Sequence, residues 1–131
     1  MAIVATAPFG QTFIGAGEFE LPVVNPQNAP GEIVYNDSPS FWQFPQGGDF
    51  IVALNISFVW QGSPGWIIWE AAGVRQYLLR YDAQAWVVHH GLIHFRANPG
   101  DTARLLAVNE GNNIVNADPA ASKLVIYKLG G

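Results

Sequence analysis

Three features of this 131-residue sequence predict an all-β domain built as a sandwich or barrel. The run over 50–60 places Phe50, Val52, Leu54, Ile56, Phe58 and Trp60 at period two. That spacing sends large apolar side chains to one face of a strand, whereas a helix would scatter them around its circumference. Beyond it, short apolar or β-branched runs recur every ~8–12 residues with turn residues between them. No stretch carries a convincing amphipathic helical period.

Taken in order, residues 1–31 hold Pro8, Pro22, Pro26 and Pro30 with Gly10, Gly15, Gly17 and Gly31, which break any long element. The segment reads as a Pro/Gly-rich N-terminal arm with short strands at 11–14 and 18–23. It either wraps a neighbour or packs along its own domain. Residues 32–131 form the domain proper. After the long strand, QGSPG (61–65) supplies a turn and 66–71 the next strand. In 75–81, Tyr77, Leu79 and Tyr81 share a face. A turn at 82–84 leads to apolar runs at 85–90 and 92–97 that flank Gly91. ANPGD (97–101) is a strong turn signal before a strand at 102–108. EGNN (110–113) and NADPAAS (116–122) read as loops, and 123–129 closes the domain.

Composition limits the function. The sequence has no cysteine, so disulfides, thiolate chemistry and thiolate-bound zinc are excluded. Net charge is −4 with only six Lys and Arg, dispersed along the chain, which argues against tracking a nucleic-acid backbone. The opening residues lack the basic stretch of a signal peptide, and no apolar run is long enough to span a membrane. Half the residues are hydrophobic and 12% are charged, against roughly 25% charged for an average soluble domain. One small core cannot absorb that much apolar surface. A large interface between subunits, resembling a core cut in half, is expected instead.

Some segments resemble a known family. SFWQFPQGGDFIVALNISFVW (40–60) resembles the stretch of tumour-necrosis-factor-like and complement globular-head domains in which an aromatic, a Pro and a Gly precede a long alternating strand. FRANPGDTARLLAV (95–108) is similar to that family's later strand, Gly-Asp turn and apolar strand, and ASKLVIYKLGG (121–131) to its terminal strand. The resemblance covers roughly 32–131 and implies a two-sheet jelly-roll sandwich that assembles as a trimer. The family's aromatic-Gly-Tyr element is here Gly47-Gly48-Asp49-Phe50, and no acidic cluster is present, so its calcium and receptor chemistry is not implied. The apolar excess points to assembly independently. In 123–129, Val125, Tyr127 and Leu129 oppose Leu124 and Ile126, and a strand apolar on both sides is covered on both sides. Tyr77, Tyr81, Tyr127 and Leu129 are the expected interface residues.

No nucleophile, base or phosphate-loop constellation occurs, so neither an enzymatic activity nor a cofactor is expected. His89, His90 and His94 cluster, and His90 and His94 share a face if the strand is continuous. They are the weak metal candidates, short of a third ligand. Asp49, Asp82 and Asp101 sit beside or in turns, where Asp is favoured for local hydrogen bonding. Trp60 belongs to the core face, and Trp66 and Trp69 lie on opposite faces of their strand. Trp42 and Trp86, near loop or strand ends, with Asp82 in the adjacent turn, are the candidate glycan-binding residues.

The expected function is therefore a non-enzymatic homotrimer that binds a larger protein assembly. A bacteriophage virion protein, either capsid decoration (cement) or a fibre-tip knob, is the leading expectation, with the virion as its location. With no stalk or leader in view, such a domain gains valency from the capsid or tail on which it docks. The alternative is a soluble trimeric lectin, bacterial and cytoplasmic or secreted without a signal peptide. Neither nucleic acid nor membrane insertion is expected.

Overall fold

The computed structural model describes residues 2–8, 12–14, 17–21, 23, 26–29, 31–37, 39–61, 65–81, 87–109, 114–117 and 122–130. Among these residues there are thirteen strands and no helix. The first seven are β1 (Ala2–Pro8), β2 (Thr12–Ile14), β3 (Gly17–Glu20), β4 (Gln27–Asn28), β5 (Val34–Asp37), β6 (Ser40–Phe44) and β7 (Gly48–Gln61). Six follow: β8 (Gly65–Ala71), β9 (Val74–Tyr81), β10 (Val87–Ala97), β11 (Asp101–Asn109), β12 (Ile114–Ala117) and β13 (Lys123–Leu129). The expected turn residues 62–64, 82–84 and 110–113 and the loop residues 118–121 lie outside the described residues, as do Gly10, Gly15, Pro22 and Pro30.

All strand pairs are antiparallel, in a seven-stranded and a six-stranded sheet. Each sheet has one long strand whose edge is shared end to end by two shorter ones. In the first, β10 lines one edge of β7, while β13 and then β12 occupy the other. In the second, β8 lines one edge of β11, and β6 and then β3 take the other. This is the expected all-β, two-sheet jelly-roll sandwich.

The core follows from the alternation read in the sequence. Phe50, Val52, Leu54 and Ile56 of β7 are at most 1% exposed. Phe50 and Phe95 of one sheet meet Phe44 and Trp69 of the other with ring centroids 4.7–5.3 Å apart, and Phe50 stacks on Phe95 at 5.4 Å. Such offset and edge contacts add to the area these rings bury. Two tight turns close one end. Gly47 (φ 66°) packs so closely that a Cβ would lie 2.6 Å from the Ala97 carbonyl oxygen. The Phe44 carbonyl accepts hydrogen bonds from the Gly47 and Gly100 amides at 3.2 and 2.8 Å. The Asp101 carboxylate accepts one from the Asn98 amide at 2.8 Å, so the ANPGD turn forms as its Asp predicts.

Two local readings change, and the strand left open at Gly91 is continuous: β10 runs through it without interruption, and Gly91 pairs with Leu54. The glycine is needed because a Cβ there would lie 2.6 Å from the Leu78 carbonyl oxygen, where β9 crosses against β10. Tyr77 and Leu79 do not share an environment. The β8–β9 register shifts between Ile67 and Ile68, leaving Leu78 as an extra residue. Leu78 and Leu79 are then both buried, while Tyr77 is 61% exposed. Finally, Ile114–Ala117, placed in or between loops by sequence, forms β12 against β7.

The N-terminal residues are woven into the sandwich. β1 pairs with β13, and an irregularity between Ile3 and Ala5 lets Val4 and Ala5 both be buried. β2, β3 and β4 pair with β12, β11 and β1. Since β1 and β4 lie beside β13 in the sheet, they extend it and do not cover its outer surface.

Substituting Gly91→Ala must separate β9 from β10. Overpacking of this kind costs about 1–3 kcal/mol, read as a lower urea midpoint at unchanged slope.

Candidate functional site

The outward side of β7 carries Ile51, Ala53 and Asn55, and the strand register extends that surface across the sheet. Ile3, Tyr127, Ile51 and His94 are cross-strand neighbours in one row, and Thr6, Val125, Ala53 and Leu92 form the next. Lys123, Asn55 and His90 make a third row, and Leu129, Asp49 and Arg96 a fourth. The two central rows are nearly all apolar. Leu92 is 65% and Ile3 58% exposed, flanking Val125 at 7%. A contiguous apolar surface rimmed by polar groups marks a contact surface.

The expected interface residues divide between two surfaces. Tyr127 and Leu129 are half-buried on this outer face, whereas Tyr77 lies on the six-stranded sheet, paired with Ile68. The Tyr81 side chain is outside the described residues. His90 and His94 do face the same way, but four residues of strand separate them by ~13 Å. His90 contacts the Asn55 side chain and His94 lies 3.5 Å from Asp49. They cannot share one ion within a chain, and no group of three or more His, Cys, Asp or Glu suited to a metal occurs among the described residues. The His89 side chain is outside them.

Trp42 is not a glycan platform. It is 1% exposed, packs against Tyr35 at 4.5 Å, and shares the core face of β6 with Phe44. Period two along SFWQF sends Trp42 and Phe44 inward together. Asp82 and Trp86 lie outside the described residues.

The outer face of the six-stranded sheet holds a groove whose residues the sequence reading did not bring together. Its rows are Glu20, Leu106, Ile68, Tyr77, then Glu18, Val108, Trp66, Arg80, with Arg104, Glu70, Arg75 beside them. Ion pairs cross this face. Arg104 and Arg75 reach the Glu70 carboxylate at 2.5 and 2.7 Å, and Arg75 extends to Glu18 of β3 at 2.6 Å. Hydrogen bonds from Arg104 and then Arg75 hold the Glu70 carboxyl below its ordinary value of 4.5. Glu18 first, and then Glu70, raise the Arg75 guanidinium's pKa. Trp66 meets Tyr77 edge-on at 5.4 Å, and the Arg80 guanidinium lies 5.2 Å from the indole centre. Between the Arg75–Glu18 pair and these rings is an open groove of about 360 Å³, lined by Glu18, Trp66, Ile68, Arg75, Tyr77 and Val108.

Comparison with solved structures places the fold. Murine APRIL at pH 8.5 superposes with a TM-score of 0.73 at 14% identity, over 97% of this chain and 98% of that one. Murine APRIL at pH 5.0 gives 0.68 at 14% identity, over 98% of each chain. Eiger TNF from S. frugiperda gives 0.61 at 11% identity, over 99% of this chain and 94% of that one. These likenesses establish the jelly-roll fold. No family model and no curated protein sequence matches the chain.

The Glu70 ion pairs have a pH signature. A carboxyl lowered in the folded state contributes stability above its unfolded value, and that contribution is lost as pH falls through the folded one. Glu70→Gln is expected to cost about 1 kcal/mol at pH 7. The gap between the variant's and the unaltered chain's urea midpoints should shrink as pH falls below 4.5, the ordinary Glu70 value.

Proposed function

We propose that this chain is a non-enzymatic binding module that works as a homotrimer and docks on a larger protein assembly. The observation that carries this reading is the outer face of the seven-stranded sheet, where Ile3, Tyr127, Ile51, Val125, Ala53 and Leu92 adjoin and both Leu92 and Ile3 are more than half exposed. A closed ring joins two different surfaces of neighbouring copies. The complementary surface is the edge formed by β9 and β10, which carries Val74, 64% exposed, and has no further strand paired to it among the described residues. Seating that edge against the next copy's outer face covers both, and hides strand edges that would otherwise invite aggregation. The resemblance to tumour-necrosis-factor-like domains supports a trimer over other rings.

A capsid or tail is the platform we favour, as a virion surface protein. The acidic, cation-poor composition suits a surface that sits near packaged nucleic acid without binding it. A trimeric lectin is the second reading, favoured by the aromatic groove on the six-stranded sheet.

Leu92→Glu tests the assembly. Leu92 is too exposed for the change to unfold a single chain, but it would bury an unpaired charge in the interface. Native mass spectrometry should show the variant as single chains, its subunit dissociation constant raised at least a hundredfold, with β circular dichroism intact. A variant that stays assembled would contradict the proposed interface. Co-sedimentation with empty capsids or tails, lost in Leu92→Glu, is the expected result for virion docking.

A further inference from the structure

We infer that the groove over Trp66 and Tyr77 is a binding site for a neutral saccharide, with room for one or two pyranose rings. The inference deepens the reading of the chain as a binding module and rests on it. Three features select the ligand class. The first is an apolar wall made of two rings and two aliphatic side chains, Trp66, Tyr77, Ile68 and Val108. Tyr77 is 61% exposed, so its ring is open to a ligand. The C–H face of a pyranose is apolar and packs on such rings.

The second feature is the opposite wall. Glu18 and Arg75 are held 2.6 Å apart, and Arg75 is held in turn by Glu70 at 2.7 Å. A carboxylate accepts about four hydrogen bonds and a guanidinium donates five, so a pair bound to each other keeps acceptors and donors for further partners. Adjacent hydroxyls, each both donor and acceptor, match that alternation. The third is charge balance. Glu18, Glu20 and Glu70 are offset by Arg75, Arg80 and Arg104 on this face, so the site offers no net attraction to an anion or a cation. A volume of about 360 Å³ lies at the lower end of the roughly 300–1,000 Å³ of small-molecule sites. The aromatic wall is also pre-ordered, since Tyr77 and Arg80 both brace Trp66. Little ordering cost then opposes binding.

The test is a panel of neutral, sialylated and sulfated glycans, followed by calorimetric titration of the intact protein with each glycan retained. The expected result is binding of a neutral glycan, weakened at least tenfold by Tyr77→Ala and by Glu18→Gln. Both residues are exposed, so these variants should keep the fold and the assembled mass. Trp66→Ala should abolish binding. Failure to bind any neutral glycan, binding restricted to charged glycans, or affinity unmoved by Tyr77→Ala and Glu18→Gln would each overturn the assignment. The assembled mass is read in the same samples and depends on the outer face of the seven-stranded sheet and the β9–β10 edge, not on the groove side chains. Absence of glycan binding by the unaltered, assembled protein therefore rejects the groove alone, and absence of assembly in the unaltered protein rejects the module reading.

Discussion

The alternation of β7 sends Phe50, Val52, Leu54 and Ile56 between the sheets and Ile51 and Ala53 the other way. The strand is thus apolar along its inner face and, at Ile51 and Ala53, in the middle of its outer face. β13 repeats the pattern beside it, with Leu124 and Ile126 inside and Val125, Tyr127 and Leu129 outside. A polar outer face would make the domain self-sufficient. In the assembly proposed above, a second chain covers the outer rows, which accords with so few charges in so apolar a sequence. The N-terminal strands do not supply the cover, since β1 joins the sheet edge-on to β13.

What could be read from sequence was whatever obeyed a clean local period. The long strand shows period two, the strands at 66–71, 102–108 and 123–129 stand out as apolar runs between turn residues, and the ANPGD turn carries its own chemistry. The misreadings lie where that period is broken by tertiary structure. In β1 an irregularity at Val4 buries successive residues and erases the alternation. In β9 the extra residue Leu78 moves Tyr77 to the opposite side from Leu79. Why a glycine stands at 91 was not legible locally, since its reason is the Leu78 carbonyl oxygen, a contact made across the fold. β12 is four residues long, too short to display any period.

The candidate sites were legible to a different degree. Tyr127 and Leu129 follow from the terminal strand's own pattern. Trp42 was placed near a loop because Pro45 and Gly47 follow it, although its period with Phe44 already pointed inward. The Trp66 groove had one signal in the sequence, the opposite parities of Trp66 and Trp69. Its other parts, Glu18, Arg75 and Val108, come from three strands that meet only through the sheet order, which no local pattern encodes. The two outer faces of the sandwich thereby differ: the seven-stranded sheet presents apolar rows, and the six-stranded sheet a groove beside a chain of ion pairs.

The central claim is that other copies of the chain cover the outer rows of β7 and β13. Sedimentation equilibrium of the unaltered protein, followed on dilution from micromolar to nanomolar, measures this most directly. Three chains per particle, persisting on dilution, is the predicted result. A single chain of 14.2 kDa throughout that range would contradict it, because Ile3, Leu92 and Tyr127 would then face water unaided.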